Sequence, residues 1–308
     1  MNNELKEEAI YITSPIAKGE SDYLKEELFI KRFYTVENGE PVLMIHGSVE
    51  NGRIFYSATG KGFAPYLAKK GYDVFVVDLR GRGLSKPPIN QYSKHGLTEI
   101  LNDDFPLYIH KIKELKGDVP QHWIAHSWGG VLILAYLAKN HTSVKIASMV
   151  FFATKRRVSV KSWKRFWKVD ILYSLLVPLS IKQKGYFAAK ELKAGSDNES
   201  KMAYKETAYW VKTKKWKDRN GIFDYAAALK KIKLPPTLYL AAVNDPVLGN
   251  PEDVKLLISE IGDQNCEFRV LGKAVGNKND YGHIDILTHQ DAPEDVYPIA
   301  LNFMKKYS

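Results

Sequence analysis

Short apolar runs rich in β-branched and aromatic residues recur along the chain, and several are followed by a stretch with helical periodicity. Residues 41–45 run into His46-Gly47, and residues 72–77 run into Asp78-Leu79-Arg80-Gly81-Arg82-Gly83. Residues 122–125 run into His126-Ser127-Trp128-Gly129-Gly130, and further runs stand at 146–152, 237–243 and 266–271. Strands apolar on both sides belong in a parallel sheet covered on both faces. The segments 61–70, 97–115, 129–139 and 251–261 read as the crossover helices. This alternation predicts an α/β fold with a mostly parallel, doubly wound sheet. Residues 28–36, where Phe29, Lys31 and Phe33 alternate with other side chains, suit an antiparallel edge strand ahead of it.

The pattern breaks between residues 154 and 233. Strand signals stop there, and basic, aromatic, helix-like sequence replaces them until Pro235-Pro236 restarts the sheet. The expected organisation is one core, residues 1–153 and 234–308, carrying residues 154–233 as a helical cap. Charge follows the same division. The chain carries a net +10, yet residues 155–233 hold 21 Lys and Arg against 7 Asp and Glu, which leaves the remainder acidic by four.

Three polar residues stand out against this frame. Ser127 sits where a strand turns sharply into a helix, a geometry that exposes a hydroxyl above the sheet edge and demands small neighbours. Ala125 and Gly129 meet that demand. Serine is a weak nucleophile and needs a base, and His283, beyond the last strand, is the candidate. The base needs a carboxylate to fix its tautomer, and Asp245 directly follows the strand at 237–243. Asp285 is too near His283 in sequence to serve, and Asp78 suits a turn role. Two amides would hold an oxyanion, those of Trp128 and Ser48, with Gly47 permitting close approach and His46 acting as scaffold. Such chemistry needs no metal and no organic cofactor. The Gly81-Arg82-Gly83 turn lacks the partners of a phosphate loop.

With His46-Gly47, Asp78 to Ser85, the Ser127 turn, Asp245 and His283 in this order, the chain resembles the α/β-hydrolase superfamily over nearly its whole length. Gly282-His283-Ile284-Asp285, the tail Asp291 to Tyr297 and Lys69 to Val74 are similar to its acid-lipase and lysophospholipase-like branch. The resemblance implies the α/β-hydrolase fold and cleavage of a lipid or other acyl ester through an acyl-enzyme. Relatives that act on haloalkanes or epoxides carry aspartate at the Ser127 position, and polyester synthases carry cysteine. Thioesterase or acyltransferase chemistry with the same three residues, and a non-catalytic lipid-binding role, are the alternatives.

Within the insertion, Trp163, Phe166 and Trp167 would share one face of a helix with basic residues around it. Two readings stand: a helix docked on the core with a solvated basic face, or one that lines an acyl pocket and touches anionic membrane. No nucleic-acid-binding module accompanies the charge, so nucleic acid is not an expected partner. Acidic residues near the amino terminus and a single cysteine, Cys266, point to the cytoplasm, with peripheral membrane contact as the further option.

Overall fold

The computed structural model describes residues 4–13, 26–160 and 176–308. Eight strands form one sheet: β1 Lys6–Thr13, β2 Glu27–Tyr34, β3 Pro41–Ile45, β4 Asp73–Asp78, β5 Gln121–His126, β6 Ile146–Phe152, β7 Thr237–Ala242 and β8 Cys266–Leu271. Their order is β1-β2-β4-β3-β5-β6-β7-β8. From β4 to β8 all neighbours run parallel, while β1 and β2 pair antiparallel to each other and β2 pairs antiparallel to β4.

Among the described residues, the α-helices of five or more residues are α1 Phe63–Lys69, α2 Phe105–Lys116, α3 Trp128–Asn140, α4 Val177–Lys184, α5 Lys201–Lys212, α6 Tyr225–Leu229, α7 Pro251–Ile261 and α8 Tyr297–Met304. Because successive side chains point to opposite faces, each apolar strand feeds two cores. Leu43, Phe75, Trp123, Phe151 and Tyr239 pack on one face with α2, α3 and α7. Met44, Val76, Ile124, Phe152 and Leu240 pack on the other with α1 and α8. The continuous apolar character that predicts a doubly covered sheet has this origin.

The expected edge strand is the one point of the topology that needs correction. Residues 27–34 form β2, which is interior, and the edge is β1. Its sequence, Lys-Glu-Glu-Ala-Ile-Tyr-Ile-Thr, opens on three charged residues and carries a weak strand signal. Cross-strand pairs compensate: Lys31 meets Glu7 at 2.8 Å, and Arg32 meets Glu8 at 3.0 Å.

β3 is the switch point, with β4 on one side and β5 on the other. The crevice beyond the carboxyl ends of β3 and β5 is where open sheets of this kind place a site. Helices α4, α5 and α6 belong to the insertion between β6 and β7. Its later part is fused to the core, since Ala203, Trp210, Trp216, Tyr225 and Leu229 join the same apolar cluster as α3. Among the described residues, no helix is long and apolar enough to cross a membrane.

Arg32 of β2 is locked to β4 by a two-pronged pair. Its Nε and Nη2 donate to the two oxygens of the fully buried Asp73 at 2.8 and 2.7 Å, and the Lys116 ammonium adds a contact at 2.9 Å. Replacing Asp73 with alanine would leave two cations without their shared carboxylate. We expect Asp73→Ala to lower unfolding free energy by about 3–5 kcal/mol in denaturant titration. A loss below about 1 kcal/mol would contradict this account.

Candidate active site

Ser127 stands between β5 and α3 with φ 50° and ψ −121°, a backbone conformation uncommon outside glycine. Such strain costs on the order of 1–3 kcal/mol and persists only where its surroundings enforce it. Here the Ser127 amide donates to the Phe152 carbonyl at 2.7 Å, and Thr154 Oγ1 donates to the Ser127 carbonyl at 2.9 Å. Helix α3 then leaves so close to β3 that a Cβ on Gly129 would sit 2.4 Å from the Ile45 carbonyl oxygen. A Cβ on Gly130 would sit 2.4 Å from Thr154 Oγ1, so the Gly-Gly pair is a steric requirement of the turn.

The structure brings Ser127, Asp245 and His283 together. His283 Nε2 is 3.0 Å from Ser127 Oγ, and its Nδ1 is 2.6 Å from Asp245 Oδ2. Asp245 follows β7 in a tight turn, where its other oxygen accepts the Leu248 amide at 2.9 Å. Burial opposes the Asp245 charge, but the bond to His283 and the amides of Leu248 and Val247 outweigh it and hold the carboxyl below its usual range. Burial depresses His283; Asp245 pulls it upward and His126 pushes it down, and the balance lies below the ordinary histidine value. At neutral pH the arrangement is therefore a carboxylate, a neutral imidazole that donates through Nδ1, and a hydroxyl whose proton faces Nε2. Neither rival acid serves His283. Asp78 accepts the amides of Gly52 and Leu84 at 2.6 and 2.8 Å, and Asp285 accepts the amide of Gly282.

The loop after β3 reaches the same place. The pairing of Ile45 with Ala125 sets His46-Gly47-Ser48 beside the serine turn, and a Cβ on Gly47 would lie 3.0 Å from Ser127 Cβ. Among the described residues, the amides of Ser48 and Trp128 donate to no protein acceptor. Trp128 is the first residue of α3, where helix amides lack partners by construction. His46 holds the loop: its Nδ1 donates to the Gly47 carbonyl at 2.9 Å and its Nε2 accepts the Leu79 amide at 3.0 Å. Complete burial, reinforced by Arg82, lowers it to about 4, so it is a neutral scaffold. Arg82, from the glycine-flanked turn, donates to the same carbonyl at 3.1 Å and pairs with the buried Glu199 of the insertion.

Two residues of the site have no individual signal in the sequence. Glu50 Oε2 accepts the Gly47 amide at 2.9 Å and faces His126 Nδ1 at 2.8 Å, while His126 Nε2 faces the His283 carbonyl at 2.9 Å. Both ring nitrogens of His126 thus meet acceptors, an arrangement satisfied by an imidazolium beside a carboxylate. Burial opposes the His126 charge, and Glu50, the His283 carbonyl and Asp245 together overcome it, raising His126 above its ordinary value. The pair clamps the loop after β3 to the backbone of His283. Its members are 76 residues apart, which hides the contact from sequence reading. Donor atoms of Glu50, His126 and His283 fall within 4.8 Å of one another, but each is already engaged in these hydrogen bonds.

A cavity of about 840 Å³ opens above Ser127 and His283. Its apolar wall includes Val49, Ile54, Val158, Val211, Leu248 and Ile284, and the insertion also contributes Lys190, Lys193 to Ser196 and one face of α5. Trp163, Phe166 and Trp167, expected to line an acyl pocket, lie outside the described residues.

Comparison with known proteins matches this architecture. Residues 40–290 match the alpha/beta hydrolase fold family, and the chain belongs to it. The expected likeness to lipases is met in part of the chain by the probable lysophospholipase L2 of Haemophilus influenzae, 24% identical over 152 residues. That match covers 49% of this chain and spans less than half of that relative, 45% of its length. The gastric triacylglycerol lipase of Bos taurus is 22% identical over 90% of this chain and 85% of its own. Among solved structures, a thermophilic esterase from Thermogutta terrifontis superposes with a TM-score of 0.60 at 17% identity, covering 98% of this chain and 100% of that one. At that identity the likeness is one of fold.

The two site histidines should be displaced from the ordinary histidine value in opposite directions. In an NMR titration of the imidazole protons we expect His283 to be half-protonated below pH 6.5 and His126 above it, with Glu50→Gln lowering His126. A His126 that is neutral at pH 6.5 in the unaltered protein would contradict the buried ion pair.

Proposed function

We propose that the protein is a serine hydrolase of carboxylic esters in which Ser127, His283 and Asp245 form the catalytic triad. The observation that carries this reading is the unbroken hydrogen-bonded path from Asp245 through His283 to Ser127, opening onto an apolar cavity. Ser127 Oγ attacks the acyl carbonyl while His283 Nε2 takes its proton, and Asp245 stabilises the resulting imidazolium. The amides of Ser48 and Trp128 receive the oxyanion. His283 then returns the proton to the departing alcohol, leaving an acyl-Ser127. Water, deprotonated by the same imidazole, releases the acid and restores the serine.

The lined cavity gives an acyl chain an apolar wall beside the nucleophile, and its volume falls within the usual range for small-molecule sites, roughly 300–1,000 Å³. Residues 154–233 are the cap over this site in our reading. Their charge also suits contact with anionic lipid: sedimentation should favour anionic over neutral vesicles, and equal partitioning would contradict that part of the proposal.

Turnover of p-nitrophenyl esters of increasing acyl length tests the reading. Activity should rise with chain length and fall by roughly 10³-fold or more in Ser127→Ala. Because the base must be neutral, kcat/KM should decline only as pH drops through a value below 6.5, where His283 takes up a proton. Turnover confined to acetate and butyrate would keep the triad and remove the lipid substrate. Absence of turnover at every length, from folded protein, would contradict hydrolysis of oxygen esters and favour thioesters or a binding role.

A further inference from the structure

Lys155 is a largely buried cation with no hydrogen-bonding partner among the described residues. It follows β6 by three residues, is 8% exposed, and lines the cavity that holds Ser127 and His283. Among the described residues its ammonium makes no hydrogen bond and no ion pair within 4.0 Å. Buried lysines ordinarily have both, because removing an ammonium from water is costly. Of the two carboxylates that face it, Asp245 is fully engaged, while Asp253 keeps one buried oxygen, Oδ2, without a hydrogen-bond partner and outside ion-pair distance of the ammonium. Asp253, on α7, gives its Oδ1 to the amide and hydroxyl of Ser159. Asp245 gives its oxygens to His283 and to the Leu248 amide. Burial lowers Lys155 to about 8, while Asp253 and Asp245 act in the opposite direction, so it still carries its charge at neutral pH.

The rest of the cavity has the same sign. Arg53, Lys193 and Lys212 are exposed at its lining, with no ion-pair partner among the described residues, and Lys190 is paired with Asp197 at 2.8 Å. The acidic residue of the lining, Glu50, is engaged with His126. A site with an apolar wall, a buried cation near the nucleophile and further cations in its lining is complementary to an amphiphile with a negative group.

We propose that Lys155 is the anion-binding residue of this site and that the substrate is an acyl ester or thioester bearing a phosphate. The proposal rests on the esterase reading above. The incoming phosphate supplies the acceptor that the Lys155 ammonium lacks, forming a charge-assisted hydrogen bond in a poorly solvated place. The apolar wall takes the acyl chain. The phosphate could belong to a lysophospholipid headgroup or to coenzyme A, and the two place it at different distances from the carbonyl.

The test compares three lauroyl substrates: lysophosphatidate, monoacylglycerol as the same ester without phosphate, and the coenzyme A thioester. With wild-type protein we expect kcat/KM for lysophosphatidate to exceed that for the monoacylglycerol by about tenfold or more. That ratio should collapse toward one in Lys155→Met and be largely retained in Lys155→Arg. A Lys155-dependent preference for the thioester instead would support the anion site and assign the phosphate to the coenzyme. The same ratio in wild type and Lys155→Met would overturn the proposal while leaving the esterase standing, and would make Lys155 a counter-ion of Asp253. Binding to wild-type protein, read by calorimetry, needs neither turnover nor a folded variant. Dodecyl phosphate should bind at least about tenfold more tightly than dodecanol, and equal affinity would overturn the inference even if no ester were cleaved.

Discussion

The register that pairs Ile45 with Ala125 brings two chain exits side by side at the carboxyl end of the sheet, and the site is assembled from what leaves there. From β3 comes His46-Gly47-Ser48; from β5 comes Ser127, forced into a left-handed turn. Shifting this pairing by one residue would turn the apolar side chains of β5 from one core to the other. Because both cores are filled, with Trp123 and Ile124 fully buried on opposite faces, the register is strongly specified. The burial of ordinary apolar residues therefore holds the strained serine where it is.

Around that turn, charge is arranged by burial and paired hydrogen bonds. Two histidines with ring centroids 4.8 Å apart are driven in opposite directions. His126 is held between a carboxylate and a carbonyl and favours its proton, whereas His283 faces a hydroxyl and resists one. The cation on His126 helps to keep His283 neutral, which suits a base. The same ion pair ties the Gly47 amide to the His283 carbonyl, so the loop proposed to hold the oxyanion and the loop that carries the proposed base are mechanically joined.

How much of this is legible in the sequence depends on the range of the interaction that creates it. The serine turn is local: a strand, a serine and two glycines within a few residues. The parallel strands from β3 to β8 are legible for the same reason, since burial on both faces leaves uninterrupted apolar runs. β1 is not, because its stability comes from pairs such as Glu7 with Lys31 on another strand. Glu50 is a single acid in a loop until the fold brings His126 to it. Lys155 is one of many basic residues in its segment, and only packing distinguishes it from those in water. The reading of Asp245 over Asp78 and Asp285 lies between these extremes, resting on position after a strand and supported by the 2.6 Å contact to His283.

The central claim is that Ser127 is made nucleophilic by His283. Reaction with a fluorophosphonate followed by peptide mass spectrometry tests it most directly, because the reagent is captured by an activated serine whatever the natural substrate. The account predicts one stable adduct, on Ser127, formed at least about 10³-fold more slowly in folded His283→Ala protein. An adduct on a different serine, or labelling of Ser127 that is indifferent to the loss of His283, would contradict it.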